Sequence, residues 1–207
     1  MKTSLVAFSF ISFTLAITLL ISITTAAPES VLDITGQKLK TGLNYNILPV
    51  IRGNGGGLTI STTNNNKTCP LYVVQEKVEI LNGKSVTFTP YKANKHGLIL
   101  TSTDLNIKSS ITTTVCSKSP VWRLLKVLSG VWFLSADGVE GNPGSQTISN
   151  WFKIEKADKD YVLSFCPSVC NCPTLCRSLG IYIDDDGNKH LSLSDKIPPF
   201  KVMFKRA

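Results

Sequence analysis

Val78-Glu79-Ile80-Leu81-Asn82-Gly83-Lys84-Ser85-Val86-Thr87-Phe88-Thr89 is the stretch on which the fold turns. Ser85–Thr89 alternates polar and apolar side chains, the period of a strand with one face in a core and one in water. Val78–Leu81 reads as a second short strand. Asn82-Gly83 between them is a hairpin signal, because both residue types tolerate the positive φ such a turn needs. The same pattern repeats outward. Toward the N-terminus, strands are predicted at Val31–Asp33, Tyr45–Ile51, Leu58–Ile60 and Leu71–Val74, with a Gly-rich stretch at Arg52–Gly57. Toward the C-terminus they are predicted at Leu98–Leu100, Leu105–Ile107, Thr112–Cys116, Trp122–Leu125, Trp132–Ser135, Trp151–Ile154, Tyr161–Phe165, Ile181–Ile183, Leu191–Leu193 and Lys201–Phe204. Many short strands between Gly, Asn and Thr turns, with no long helical period, point to an all-β sandwich or barrel.

The first residues are of another kind. Lys2 is followed by an uncharged apolar run from Leu5 to Ile23, then by the small residues Thr24 to Ala27. That order predicts a secretory signal peptide over residues 1–26 and one domain over residues 27–207. A membrane anchor is the rival reading, since the run is almost long enough to span. The small residues, placed where a signal peptidase cuts, favour the signal, and the mature chain is expected to be free of the membrane. Its expected destination is the extracellular space, with the vacuole as the other route. Asn66-Lys67-Thr68 is a glycosylation acceptor in a polar stretch, which fits that route.

The formal net charge of the full chain is +8, and removal of residues 1–26 takes one Lys and no acid. The bases are scattered among acids, without a basic run carrying interleaved aromatics, so no nucleic-acid partner is expected. All six cysteines, Cys69, Cys116, Cys166, Cys170, Cys172 and Cys176, follow the leader. An even count in a secreted chain argues for disulfides. Spacing alone leaves the connectivity of the last four open. Those four could also hold zinc as thiolates, but an oxidising compartment favours bridges, and neither a metal nor a cofactor is expected. An enzyme reading is poor. The only histidines, His96 and His190, both read as exposed turn residues, so no Ser-His or Cys-His pair is evident. Asp184-Asp185-Asp186-Gly187 lacks the spaced ligands of a calcium loop and reads as a hairpin turn.

Several blocks carry a family resemblance. Val31-Leu32-Asp33-Ile34-Thr35-Gly36-Gln37-Lys38-Leu39 with Tyr45-Asn46-Ile47 resembles the N-terminal signature of the plant Kunitz (soybean trypsin inhibitor) family. Cys69–Gln75, Ile148–Ile154, Tyr161–Pro167 and Gly180–Gly187 resemble later blocks, in family order over nearly the whole mature chain. Gly53–Gly57 and the Cys-rich tail are similar to the miraculin-like branch. The resemblance implies a β-trefoil of twelve strands in three pseudo-repeated units, with six strands forming a barrel. It also implies a protease inhibitor acting in plant defence, not an enzyme.

By the same resemblance, Thr89-Pro90-Tyr91-Lys92-Ala93-Asn94 is the reactive-site loop. Lys92 is the P1 residue and Lys92–Ala93 the scissile bond, with Lys95 as a weaker alternative. Gln37 aligns with the residue whose amide braces that loop. The implied disulfides are Cys69–Cys116, Cys166–Cys176 and Cys170–Cys172. On the chain-entropy model the first ring contributes roughly 4 kcal/mol. The implied partner is a target endopeptidase, of the serine class or else of the cysteine or aspartic class through other loops. The alternative of another class is a miraculin-like binding, defence or storage protein without protease inhibition. No seventh cysteine is present to link two chains, so a monomer is expected.

Overall fold

In the computed structural model, which describes residues 27–62, 69–111, 116, 119–127 and 131–207, twelve strands pair antiparallel throughout. They are β1 (Tyr45–Pro49), β2 (Leu58–Ser61), β3 (Tyr72–Gln75), β4 (Val86–Pro90), β5 (Leu105–Ser109), β6 (Val121–Lys126), β7 (Trp132–Gly138), β8 (Lys153–Ala157), β9 (Asp160–Phe165), β10 (Arg177–Ile183), β11 (Lys189–Leu193) and β12 (Lys201–Arg206). One 3-10 helix, Ser145–Asn150, precedes β8. The signal peptide expected over residues 1–26, the glycosylation acceptor expected at Asn66 and residues 112–115 of the strand expected at Thr112–Cys116 lie outside the described residues.

Six strands close on themselves. β1 pairs with β4 and β12, and β4 with β5. Leu105 of β5 bridges to Phe152 at the entry to β8, β8 pairs with β9, and β9 with β12. A closed ring leaves no sheet edge for another chain to extend. The remaining strands form the hairpins β2–β3, β6–β7 and β10–β11, joined to one another through β3, β7 and β11. Inward positions follow the two-residue period: Val86 and Phe88 on β4, Val202 and Phe204 on β12, all buried. The rings of Phe88 and Phe204 meet edge to face at 5.6 Å, with Tyr45 and Tyr161 against them. Each buried aromatic side chain contributes about 1.5–3 kcal/mol relative to exposure.

Several expectations are corrected, and the strands expected at Val31–Asp33 and Leu98–Leu100 are isolated bridges only. Val78–Leu81 is a turn, not a strand, and leaves Val78, Ile80 and Leu81 exposed. The backbone here bonds to the Gly run: Gly56 N–H donates to Glu76 O and Gly57 N–H to Leu81 O, both at 2.8 Å. Asn82-Gly83 therefore closes no hairpin and lies in the connection from β3 to β4, which do not pair with each other. Gly83 has φ +72°, and any Cβ there would run into the Leu58 carbonyl. The strand expected from Trp151 starts at Lys153, after the 3-10 helix. There Asn150 spends its amide on Val139 O and its carbonyl on the Asn106 amide, so its bonds run outside the ladder.

His190, expected as an exposed turn residue, is a buried strand residue at 1% exposure. Its Nε2 lies 2.9 Å from Asp184 Oδ2, and its ring stacks on Phe133 at 4.3 Å. Burial pushes the Asp184 carboxyl up, but the Asn188 amide and His190 more than offset this and hold it below the ordinary value. The pair fastens the β10–β11 turn to the sheet. Three disulfides cross-link the chain: Cys69–Cys116, Cys166–Cys176 and Cys170–Cys172. The last two lie in the connection from β9 to β10.

Candidate functional site

The β4–β5 hairpin is in register up to Pro90 opposite Leu105, with Thr89 opposite Asn106 and Phe88 opposite Ile107. Pro90 has no N–H to donate, which suits the last position of a strand. Tyr91 N–H then makes one more bond, to Asp104 O at 2.8 Å. Past it the chain leaves the sheet. It returns at Leu98–Leu100, which bridge to Lys40 and Ser30 near the N-terminus rather than forming a full strand.

Two fixed points bracket the span between. On the entry side, Thr89 Oγ1 donates to Glu140 Oε1 at 2.6 Å, and Lys108 Nζ lies 3.0 Å from Glu140 Oε2. The Thr89 hydroxyl foremost, with Lys108 against the cost of burial, holds the Glu140 carboxyl below the ordinary value. That anchor is complete above the ordinary carboxylate range and is lost as pH falls through the lowered value. The Tyr91 ring stands edge-on to the buried Trp151 at 5.9 Å. On the exit side, Asn94 Nδ2 donates to Leu98 O at 2.6 Å, while Asn94 Oδ1 accepts from Leu98 N–H at 2.9 Å and His96 N–H at 3.2 Å. Gly97, at φ +61°, accepts from Thr41 N–H at 2.8 Å, and a Cβ there would press on Thr41 Oγ1 at 2.9 Å. Between the fixed points, Lys92 and Ala93 are exposed and, among the described residues, make no hydrogen bond. The Lys92 ammonium lies 5.5 Å from the Tyr91 ring centroid.

The expected site residues Thr89, Pro90, Tyr91, Lys92, Ala93 and Asn94 thus form one continuous loop with its middle free. Gln37 is not part of it. It sits exposed in the Asp33–Lys38 turn, where its backbone N–H donates to Asp33 Oδ1 and its side chain makes no hydrogen bond among the described residues. From the N-terminal segment Thr41 bonds to Gly97, beyond the loop, and Asn94 supplies the amide that braces the exit. Asp104, also absent from the sequence reading, ties the loop to the disulfide-stapled segment. Its carbonyl holds Tyr91, and its buried carboxylate accepts from Ser168 Oγ at 2.5 Å and Ser168 N–H at 3.1 Å. Such couplings join residues far apart in the chain and leave no periodic trace in it. Among the described residues no group of three His, Cys, Asp or Glu is placed to hold a metal, and no helix is long and apolar enough to cross a membrane.

The brace can be tested alone. Each Asn94 bond is worth about 0.5–1.5 kcal/mol. Asn94→Ala is expected to speed thermolysin nicking between residues 91 and 97 about tenfold while other sites stay intact. Unchanged nicking kinetics would remove Asn94 as the brace.

Comparison with known proteins identifies the family. A family model described as "Kunitz_legume: Trypsin and protease inhibitor" matches residues 31–206. Kunitz trypsin inhibitor 5 of Arabidopsis thaliana is 50% identical over 187 residues, covering 89% of each chain. Miraculin of Synsepalum dulcificum is 46% identical over 195 residues, covering 90% of this chain and 87% of that one. Among solved structures, the Kunitz-type cysteine protease inhibitor PCPI-3 from potato superposes with a TM-score of 0.73 at 29% identity, covering 87% of this chain and 98% of that one. The chain belongs to the plant Kunitz family of trypsin and protease inhibitors, a family of inhibitors and not of enzymes, and within it is miraculin-like.

Proposed function

We propose that this chain inhibits a trypsin-like serine protease by presenting Lys92–Ala93 as a substrate bond that is held in place after binding. The observation that carries the reading is the pair of exposed, unbonded residues between the Tyr91 and Asn94 anchors. A trypsin-like enzyme has an Asp at the base of its specificity pocket. The Lys92 ammonium reaches that carboxylate while its methylenes line the walls. Ala93 is small enough to follow without a clash. A loop already in its bound shape loses little freedom on association, so a contact of ordinary size, about 1,600 Å², gives tight binding. If the bond is cut, the anchors on either side keep the new amine beside the acyl group, and the bond re-forms.

The reading extends to a β-trefoil, with the six-stranded ring as its barrel and the three hairpins as its cap. It also takes residues 1–26 as a removed signal, Asn66 as a glycan site and the mature chain as a secreted monomer. The similarity to a potato cysteine protease inhibitor favours a second reading, in which other loops block a papain-like enzyme. Titration of the oxidised chain against trypsin, papain and pepsin decides between them. Stoichiometric inhibition of trypsin is expected. Inhibition of papain alone would transfer the function to another surface, and inhibition of none would leave a binding or storage role.

A further inference from the structure

We propose that the cleft between the loop after β1, the β10–β11 hairpin and the chain entering β12 binds an aliphatic monocarboxylate, its chain in the cleft and its carboxylate at Lys189. The cleft holds about 370 Å³, within the range of small-molecule sites. Ile51, Ile181, Ile183, Ile197 and Phe200 line it. Ile51 and Ile183 stand 67% and 59% exposed, so the mouth presents branched apolar side chains to water. An aliphatic chain seated there removes that surface from water, which favours binding in proportion to the area covered.

Two polar features select the ligand. Gln75 lines the cleft, is 4% exposed, and its Nε2 has no hydrogen-bond partner. Buried amide donors are nearly always satisfied, and a ligand oxygen would satisfy this one once the Gln75 side chain turns toward the cleft. Lys189 also lines the cleft. Its Nζ donates to Asn54 O at 2.5 Å and, among the described residues, has no carboxylate partner. Lys201, the other cation of the lining, pairs with Asp158 at 2.7 Å, and no acidic residue lines the cleft. An apolar wall with an unpaired ammonium and an unmet amide donor fits an anionic amphiphile and repels a cationic one. The cleft shares no residue with the Thr89–Asn94 loop, so the inference stands apart from protease inhibition.

Calorimetric titration of the oxidised chain with dodecanoate, dodecanol and dodecylammonium, each below its micelle concentration, tests this. Dodecanoate is expected to bind once per chain, with dodecylammonium weaker by about tenfold or more and dodecanol between them. Lys189→Glu should weaken dodecanoate by a similar factor and favour dodecylammonium. In the unmodified chain, dodecanoate should shift the NMR signals of the Gln75 side-chain amide and the Ile181 and Ile183 methyls. Absence of saturable binding, equal binding of the three amphiphiles, or shifts confined to other residues overturns the proposal.

Discussion

Lys92→Ala is expected to weaken inhibition of trypsin about a thousandfold, a loss of ~4 kcal/mol. The size follows from the contact's geometry. Lys92 is the one long, charged side chain on the unbonded span, and it is free to extend because its own fold holds it only by a loose approach to the Tyr91 ring. In the proposed complex it would fill a closed pocket and pair with a buried carboxylate. Truncation leaves that carboxylate without a partner, which costs more than an exposed charge pair would. The same exposure means the substitution leaves the core untouched, so the melting temperature should not move. Lys92→Arg should retain inhibition, since the guanidinium carries the charge to the same depth. Lys95→Ala should change little, because Lys95 lies beyond the Asn94 brace. Equal inhibition by Lys92→Ala and the unmodified chain would place the site elsewhere on the surface.

Local pattern was enough wherever a strand's own residues decide its fate. Val86 and Phe88 face the core and Thr87 and Thr89 only partly so, as their alternation implies. It was not enough at Val78–Leu81. The composition is strand-like, but the Gly run takes its backbone bonds and no layer covers its side chains. His190 fails for the opposite reason. Polar neighbours give it the look of a turn, while Asp184 from the adjoining turn and Phe133 and Tyr72 from other strands enclose it. The loop was legible as a stretch, from Thr89 to Asn94. What holds it was not: Glu140, Trp151 and Asp104 reach it through tertiary contacts only. Gln37 aligns with the residue whose amide braces the loop in the family, but the Asp33–Lys38 turn leaves it in solvent.

Trp151→Ala tests whether those tertiary contacts matter for function or only for stability. Trp151 is 1% exposed, closes the 3-10 helix, and turns its ring edge to Tyr91. Its removal opens a cavity under the loop, which should cost about 3–5 kcal/mol and lower the melting temperature by ~6–20 °C for a domain of this size. A comparable loss is expected from Leu191→Ala, about 2–5 kcal/mol, in β11, which pairs with neither β4 nor β5. The two variants separate at the loop. Tyr91 loses an aromatic edge contact worth about 0.5–1.5 kcal/mol only in Trp151→Ala. Well below both melting temperatures, that variant alone should release trypsin faster and accumulate cleaved Lys92–Ala93 bond up to about tenfold sooner. If both variants hold trypsin equally long, Trp151 supports the core and nothing more, and the rigidity of the loop must come from Thr89, Asn94 and Asp104.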